Sequence, residues 1–108
     1  MKNLKISYLL DFYGNLFTDK QREILEMYYQ EDMSLSEISE SVGITRQGVH
    51  DNIKRCEKEI ISMESKLCLM DRFFEISASL DKIEEILKEN SLSDERIQSE
   101  ISSIRSKI

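Results

Sequence analysis

Six side chains between Thr45 and Arg55 have the types and spacing to meet a nucleic-acid duplex. Arg46 carries paired donors that match guanine, and Gln47 carries the donor and acceptor that match adenine. Thr45, at the start of the segment, suits a phosphate together with a helix N-terminus. His50 and Lys54 follow one and two helical turns later, within reach of bases or backbone, and Arg55 adds a charge for phosphates. The alternative is that Arg46 and Gln47 are polar residues on a solvated helix face. Bond-making chemistry has no comparable constellation. One histidine and two cysteines give no zinc cluster, and neither a Gly-rich phosphate loop nor a nucleophile-base pair is present. No metal, no cofactor and no enzymatic activity are expected. Glu84-Glu85 reads as a solvated face.

Those six residues need a helix held firmly at its N-terminus, and the flanking sequence predicts one. Ser34-Leu35-Ser36-Glu37 is a capping box, with Met33 and Ile38 at the positions of a hydrophobic staple. The short helix it opens is interrupted by Val42-Gly43-Ile44, with Gly43 at positive φ. Thr45 then caps a second helix, and Ile44 and Val49 are placed for a second staple. Two capped helices separated by a glycine-containing turn form a helix-turn-helix, with Ile38, Val42, Ile44 and Val49 as core and Ser39 permitting close approach. Gly48 weakens the second helix by about 1 kcal/mol relative to alanine, and Asp51 sets a negative charge on it.

Upstream, a first helix is expected over about Leu4 to Leu16, burying Leu9, Phe12, Tyr13 and Leu16, with Leu4, Ile6, Tyr8 and Leu10 broadening the stripe. Thr18-Asp19-Lys20-Gln21 is another capping box, followed by a helix that buries Ile24, Leu25, Tyr28 and Tyr29. Downstream, no glycine or proline occurs after Gly48, and Val49, Ile53, Cys56, Ile60, Met63, Leu67, Met70 and Phe74 form a heptad-like seam. A second seam, shifted in phase, runs through Leu69, Phe73, Ile76, Leu80, Ile83 and Leu87. Unbroken helix from Thr45 to Asn90 would measure roughly 70 Å, so either the helix breaks near the overlap or two partners meet there. Asn90-Ser91-Leu92-Ser93 reads as a stop with Ser93 as the next cap, stapled by Leu92 and Ile97. A last helix carries Ile97, Ile101, Ile104 and Ile108 on one stripe.

The fold class expected is all-α: a helix-turn-helix domain over 1–66, then a C-terminal helical extension over 67–108 for dimerisation or packing. The seams and the isoleucine stripe exceed what the N-terminal helices can cover, so a homodimer is expected. Cys56 and Cys68 both lie in helical patterns and read as small core residues of a reducing compartment. No apolar run approaches the ~18 residues of a bilayer span, and no secretory signal is visible, so a cytoplasmic protein without membrane insertion is expected. The net charge of -6 disfavours nucleic acid, yet it is uneven. Residues 45–66 carry 5 basic and 4 acidic side chains, against 4 and 8 in residues 1–44.

The segment from Thr18 to Glu59 resembles the promoter-reading C-terminal region of bacterial sigma factors. The whole chain is similar to the YlxM family of helix-turn-helix proteins. The resemblance rests on Asp11-Phe12-Tyr13, Leu16-Phe17-Thr18, Lys20-Gln21-Arg22, the Leu35 to Ile38 segment, and Thr45-Arg46-Gln47-Gly48-Val49 through Asp51-Asn52-Ile53-Lys54-Arg55. Asn52 departs from the sigma pattern at a usually apolar position, with Ile53 serving instead. The resemblance implies a DNA-binding regulator that takes part in the signal recognition particle pathway, with duplex DNA as partner. The alternative is a dimeric helical adaptor, not binding DNA, that holds a protein or the RNA of that particle.

Overall fold

The computed structural model describes residues 2–108, and among them every regular element is helical. The protein is all-α. Two compact units divide it, the first ending at Met70 and the second spanning Asp71–Ile108.

In the first unit, α1 (Leu4–Tyr13) starts at Asn3, whose side chain accepts from the Lys5 amide at 2.9 Å. It ends sooner than the sequence suggests. The chain tightens at Gly14 into a 3-10 turn (Gly14–Leu16), so Leu16 leaves the helical face and is exposed, while Phe17 is buried in its place. Ile6, Leu9, Leu10 and Tyr13 make the buried stripe, and Leu4 and Tyr8 face outward.

The next helix, α2 (Asp19–Tyr29), opens on the full Thr18–Gln21 capping box and buries Ile24, Leu25 and Tyr29, with Tyr28 only partly covered. Asp32 turns the chain at φ 53°, and Lys2 clasps this corner through Asp32 at 3.3 Å and the Tyr28 ring face at 4.0 Å. Helix α3 (Leu35–Val42) opens on the reciprocal Ser34–Glu37 box and stops at Gly43, whose φ of 74° is left-handed. Helix α4 (Arg46–Leu67) follows from Thr45. It is the spine of the unit, because α1, α2 and α3 all pack on it. Its Val49, Ile53, Cys56 and Ile60 enter the core with Ile38, Ile24, Leu25 and the α1 stripe.

The long seam does not continue as one helix. Cys68 adopts φ 57°, ψ 30°, and α5 (Leu69–Glu89) starts immediately after it. A buried polar cluster fixes the break. The Tyr13 hydroxyl donates to Glu64 Oε1 at 2.5 Å and accepts from the Leu69 amide at 3.1 Å, while the same Glu64 oxygen accepts from the Met70 amide at 3.0 Å. The first two amides of α5, which no intrahelical carbonyl can satisfy, are thereby capped from α1 and α4. Cys56 is buried as expected and its thiol pKa is raised by burial, whereas Cys68 occupies the break rather than a helix.

In the second unit, α5 closes with two bonds, Leu92 amide to Leu87 carbonyl at 2.8 Å and Ser91 amide to Lys88 carbonyl at 3.2 Å, with Ser91 at φ 51°. That is the Schellman pattern, here without glycine. The last helix, α6 (Glu95–Lys107), is capped by Asp94 and not by Ser93. A carboxylate meets first-turn amides more strongly than a hydroxyl, and Arg96 fixes Asp94 further at 2.8 Å. With the cap displaced, Leu92 and Ile97 no longer occupy staple positions, and Leu92 is exposed. Within this unit Arg105 reaches Asp81 at 2.7 Å and Glu84 at 2.9 Å. Only Leu80 and Ile101 are buried, and a groove of about 480 Å³ lies open between Leu80 and Ile83 on one side and Ile97, Ile101 and Ile104 on the other.

Candidate nucleic-acid interface

The geometry of the Thr45–Arg55 segment follows from three local devices. Gly43 closes α3 with its amide on the Ser39 carbonyl at 3.0 Å. The Ser39 hydroxyl donates to the Ile44 carbonyl at 2.5 Å, tying the turn back onto α3. Thr45 Oγ1 then accepts from the Gly48 amide at 3.0 Å, which fixes the first turn of α4. Gly48 has a positional reason that sequence reasoning missed. A Cβ there would stand 3.1 Å from Thr45 Oγ1, so the glycine leaves room for the capping hydroxyl.

With Val49 and Ile53 locked in the core, the other face of α4 is turned outward. Arg46 and Gln47 are exposed in its first turn, and with His50 and Leu35 they line a shallow depression of about 440 Å³. Lys54 and Arg55 stand exposed further along. At about 3.6 residues per turn, Arg46, Gln47, His50 and Lys54 fall within roughly 100° of the helix circumference, whereas Arg55 lies about 180° from Arg46 and is not brought onto the same face. Two acidic side chains sit among them. Asp51 Oδ1 accepts from Gln47 Nε2 at 2.9 Å and lies 3.4 Å from His50 Nδ1. Glu57 lies 3.5 Å from Lys54 Nζ and also accepts from the Tyr29 hydroxyl. Burial, then that bond to Glu57, pushes the Tyr29 phenol well above the ordinary tyrosine range. Glu57 thus links the core to Lys54, a role not visible in the sequence because Tyr29 lies 28 residues away.

Comparison with known proteins then places the chain. Residues 1–103 match the model of the UPF0122 family, described as "Putative helix-turn-helix protein, YlxM / p13 like". This chain belongs to the UPF0122 family. A UPF0122 protein of Thermoanaerobacter sp. (strain X514) is 54% identical over 89 residues, covering 80% of this chain and 76% of that protein. One from Halalkalibacterium halodurans is 42% identical over 94 residues, covering 87% and 86%. One from Bacillus mycoides (strain KBAB4) is 38% identical over 103 residues, covering 95% and 94%. The UPF0122 match extends beyond the helix-turn-helix through α5 and into α6 as far as residue 103. Among the described residues no group of His, Cys, Asp and Glu is placed to hold a metal, and no helix is long and apolar enough to cross a membrane.

Proposed function

We propose that this UPF0122 protein is a cytoplasmic, non-enzymatic DNA-binding regulator that acts as a homodimer and reads duplex DNA with the start of α4. One observation carries the reading: Arg46 and Gln47 are exposed in the Thr45-capped first turn of a helix that is held in the core from its next turn on by Val49 and Ile53. A recognition helix works through that combination of rigid seating and exposed N-terminal side chains. Arg46 pairs with guanine and Gln47 with adenine, each worth about 1–3 kcal/mol of discrimination. Thr45 and the α4 N-terminus meet a phosphate, and His50, Lys54 and Arg55 continue the contact along the backbone. A protein of net charge -6 gains little from non-specific attraction, so specific contacts dominate.

The dimer rests on the second unit. A pair of helices below about 40 residues does not bury a core of its own. Here Ile83, Ile97 and Ile104 flank an open groove, and Phe74, Ile76 and Ile86 are exposed as well. A second copy, carrying the same apolar stripe, covers it. Met70, the seam position just before this unit, is buried in the first unit's core.

The acidic charge and the apolar groove favour a second reading, an adaptor for a protein or the RNA of the signal recognition particle. Fluorescence titration against a randomised duplex pool and against that RNA separates the two. Duplex binding that weakens at the preferred site in Arg46→Ala and Gln47→Ala supports the first reading. Absence of duplex binding at low salt, or an unchanged Arg46→Ala, leaves the adaptor.

A further inference from the structure

Asp51 is an odd residue to find beside groups that approach DNA, since its charge repels phosphates. Its position offers a reason. Asp51 Oδ1 accepts from Gln47 Nε2 at 2.9 Å, one turn back on the same helix. An ionised carboxylate can only accept, so it must face the amide nitrogen of Gln47 and never the amide oxygen. The terminal torsion of a glutamine otherwise has two nearly equivalent orientations, related by exchange of nitrogen and oxygen. Asp51 selects one of them.

We propose that Asp51 is a positioning residue that fixes which base Gln47 reads. The inference rests on the reading of α4 as the base-reading helix. The Gln47 amide nitrogen carries two hydrogens, and Asp51 uses one. The other hydrogen and Oε1 remain as a donor and an acceptor in fixed order. Adenine presents the complementary pair in the major groove, acceptor N7 and donor N6, whereas guanine presents two acceptors and repels Oε1. Without Asp51 the amide populates both orientations, and about half of the molecules must turn it before pairing. The adenine preference at that base pair then falls about twofold. Overall affinity moves the opposite way, because a repulsive charge has gone. Glu57 differs from Asp51 here, because it is held from the core side by Tyr29 and neighbours Lys54, which has no base-dependent orientation to fix.

The experiment uses the full chain and has two arms. In the free protein, the Gln47 side-chain amide is observed by nitrogen-proton NMR. One of its two protons is expected downfield, and the shift is lost in Asp51→Ala. In the second arm, duplexes selected from a randomised pool by wild type, Gln47→Ala, Asp51→Ala, Asp51→Asn and Asp51→Glu are sequenced. Asp51→Ala and Asp51→Asn should weaken adenine at the same base pair that Gln47→Ala affects, with total affinity equal or higher. Asp51→Glu, still an acceptor only, should restore it, and Asp51→Ala should add nothing in a Gln47→Ala background. An unchanged preference in Asp51→Ala, or a change at a different base pair, overturns the role of Asp51 while the base-reading helix stands. A wild type without any preference sinks both.

Discussion

The Tyr13–Glu64 cluster makes a quantitative demand on stability. Tyr13→Phe removes one hydroxyl that serves two bonds, a donor to the Glu64 carboxylate at 2.5 Å and an acceptor for the Leu69 amide at 3.1 Å. Bonds to charged groups contribute about 1.5–3 kcal/mol and an amide bond about 1 kcal/mol, so the loss should reach about 2–4 kcal/mol. Glu64→Gln keeps an acceptor for Tyr13 and Met70 but loses the charge assistance, and should cost less, about 1–2 kcal/mol. Glu64→Leu strands both the tyrosine hydroxyl and the Met70 amide and should cost at least as much as Tyr13→Phe. The two residues act as a unit, so the Tyr13→Phe/Glu64→Leu double variant should fall short of the sum by about 1.5–3 kcal/mol. Urea unfolding followed by circular dichroism, at one fixed protein concentration because association shifts the midpoint, measures all four. Single costs under about 0.5 kcal/mol, or strict additivity, would refute the capping role.

Other expectations follow from the same geometry. Gly43→Val should destabilise by about 1–3 kcal/mol through backbone strain alone, since a Cβ there meets nothing within 4 Å; an unchanged melting temperature refutes the turn. Ser34→Ala should cost about 1 kcal/mol on the same assay. At alkaline pH, Tyr13 and Tyr29, both raised by burial and by their carboxylate partners, contribute stability that is complete below the ordinary tyrosine value of 10.0. That stability is lost as pH rises above it, so their phenolate absorbance should appear together with unfolding and not before it. Replacing Ile83 and Ile104 with lysine should yield monomers by analytical ultracentrifugation; an unaltered sedimentation profile would contradict the dimer surface.

Much of the helix-turn-helix was legible because its determinants are local. The boxes at Thr18 and Ser34, the left-handed Gly43 and the Thr45 cap each involve residues within three or four positions. What escaped the sequence depends on distant partners or on competition between neighbours. Glu64 sits one residue beyond the seam position Met63 and looks like a solvated charge; only Tyr13, 51 residues away, makes it a buried cap. Ser93 and Asp94 both suit an N-cap, and the choice falls to the carboxylate with Arg96 beside it. Leu16 and Phe17 exchanged roles because the 3-10 turn at Gly14 rotates the chain after α1. At the candidate site the helix position of Arg46 and Gln47 was readable, whereas the ties of Asp51 and Glu57 required coordinates.

Engagement of duplex DNA by the start of α4 should show itself in the salt dependence of binding. Anisotropy titrations with a selected duplex across a range of salt should give a linear fall of log affinity with log salt for the wild type. Lys54→Ala and Arg55→Ala should each flatten that slope by about 1 while keeping the base preference. Slopes that stay the same in both variants, or duplex binding that does not respond to salt, would contradict the account.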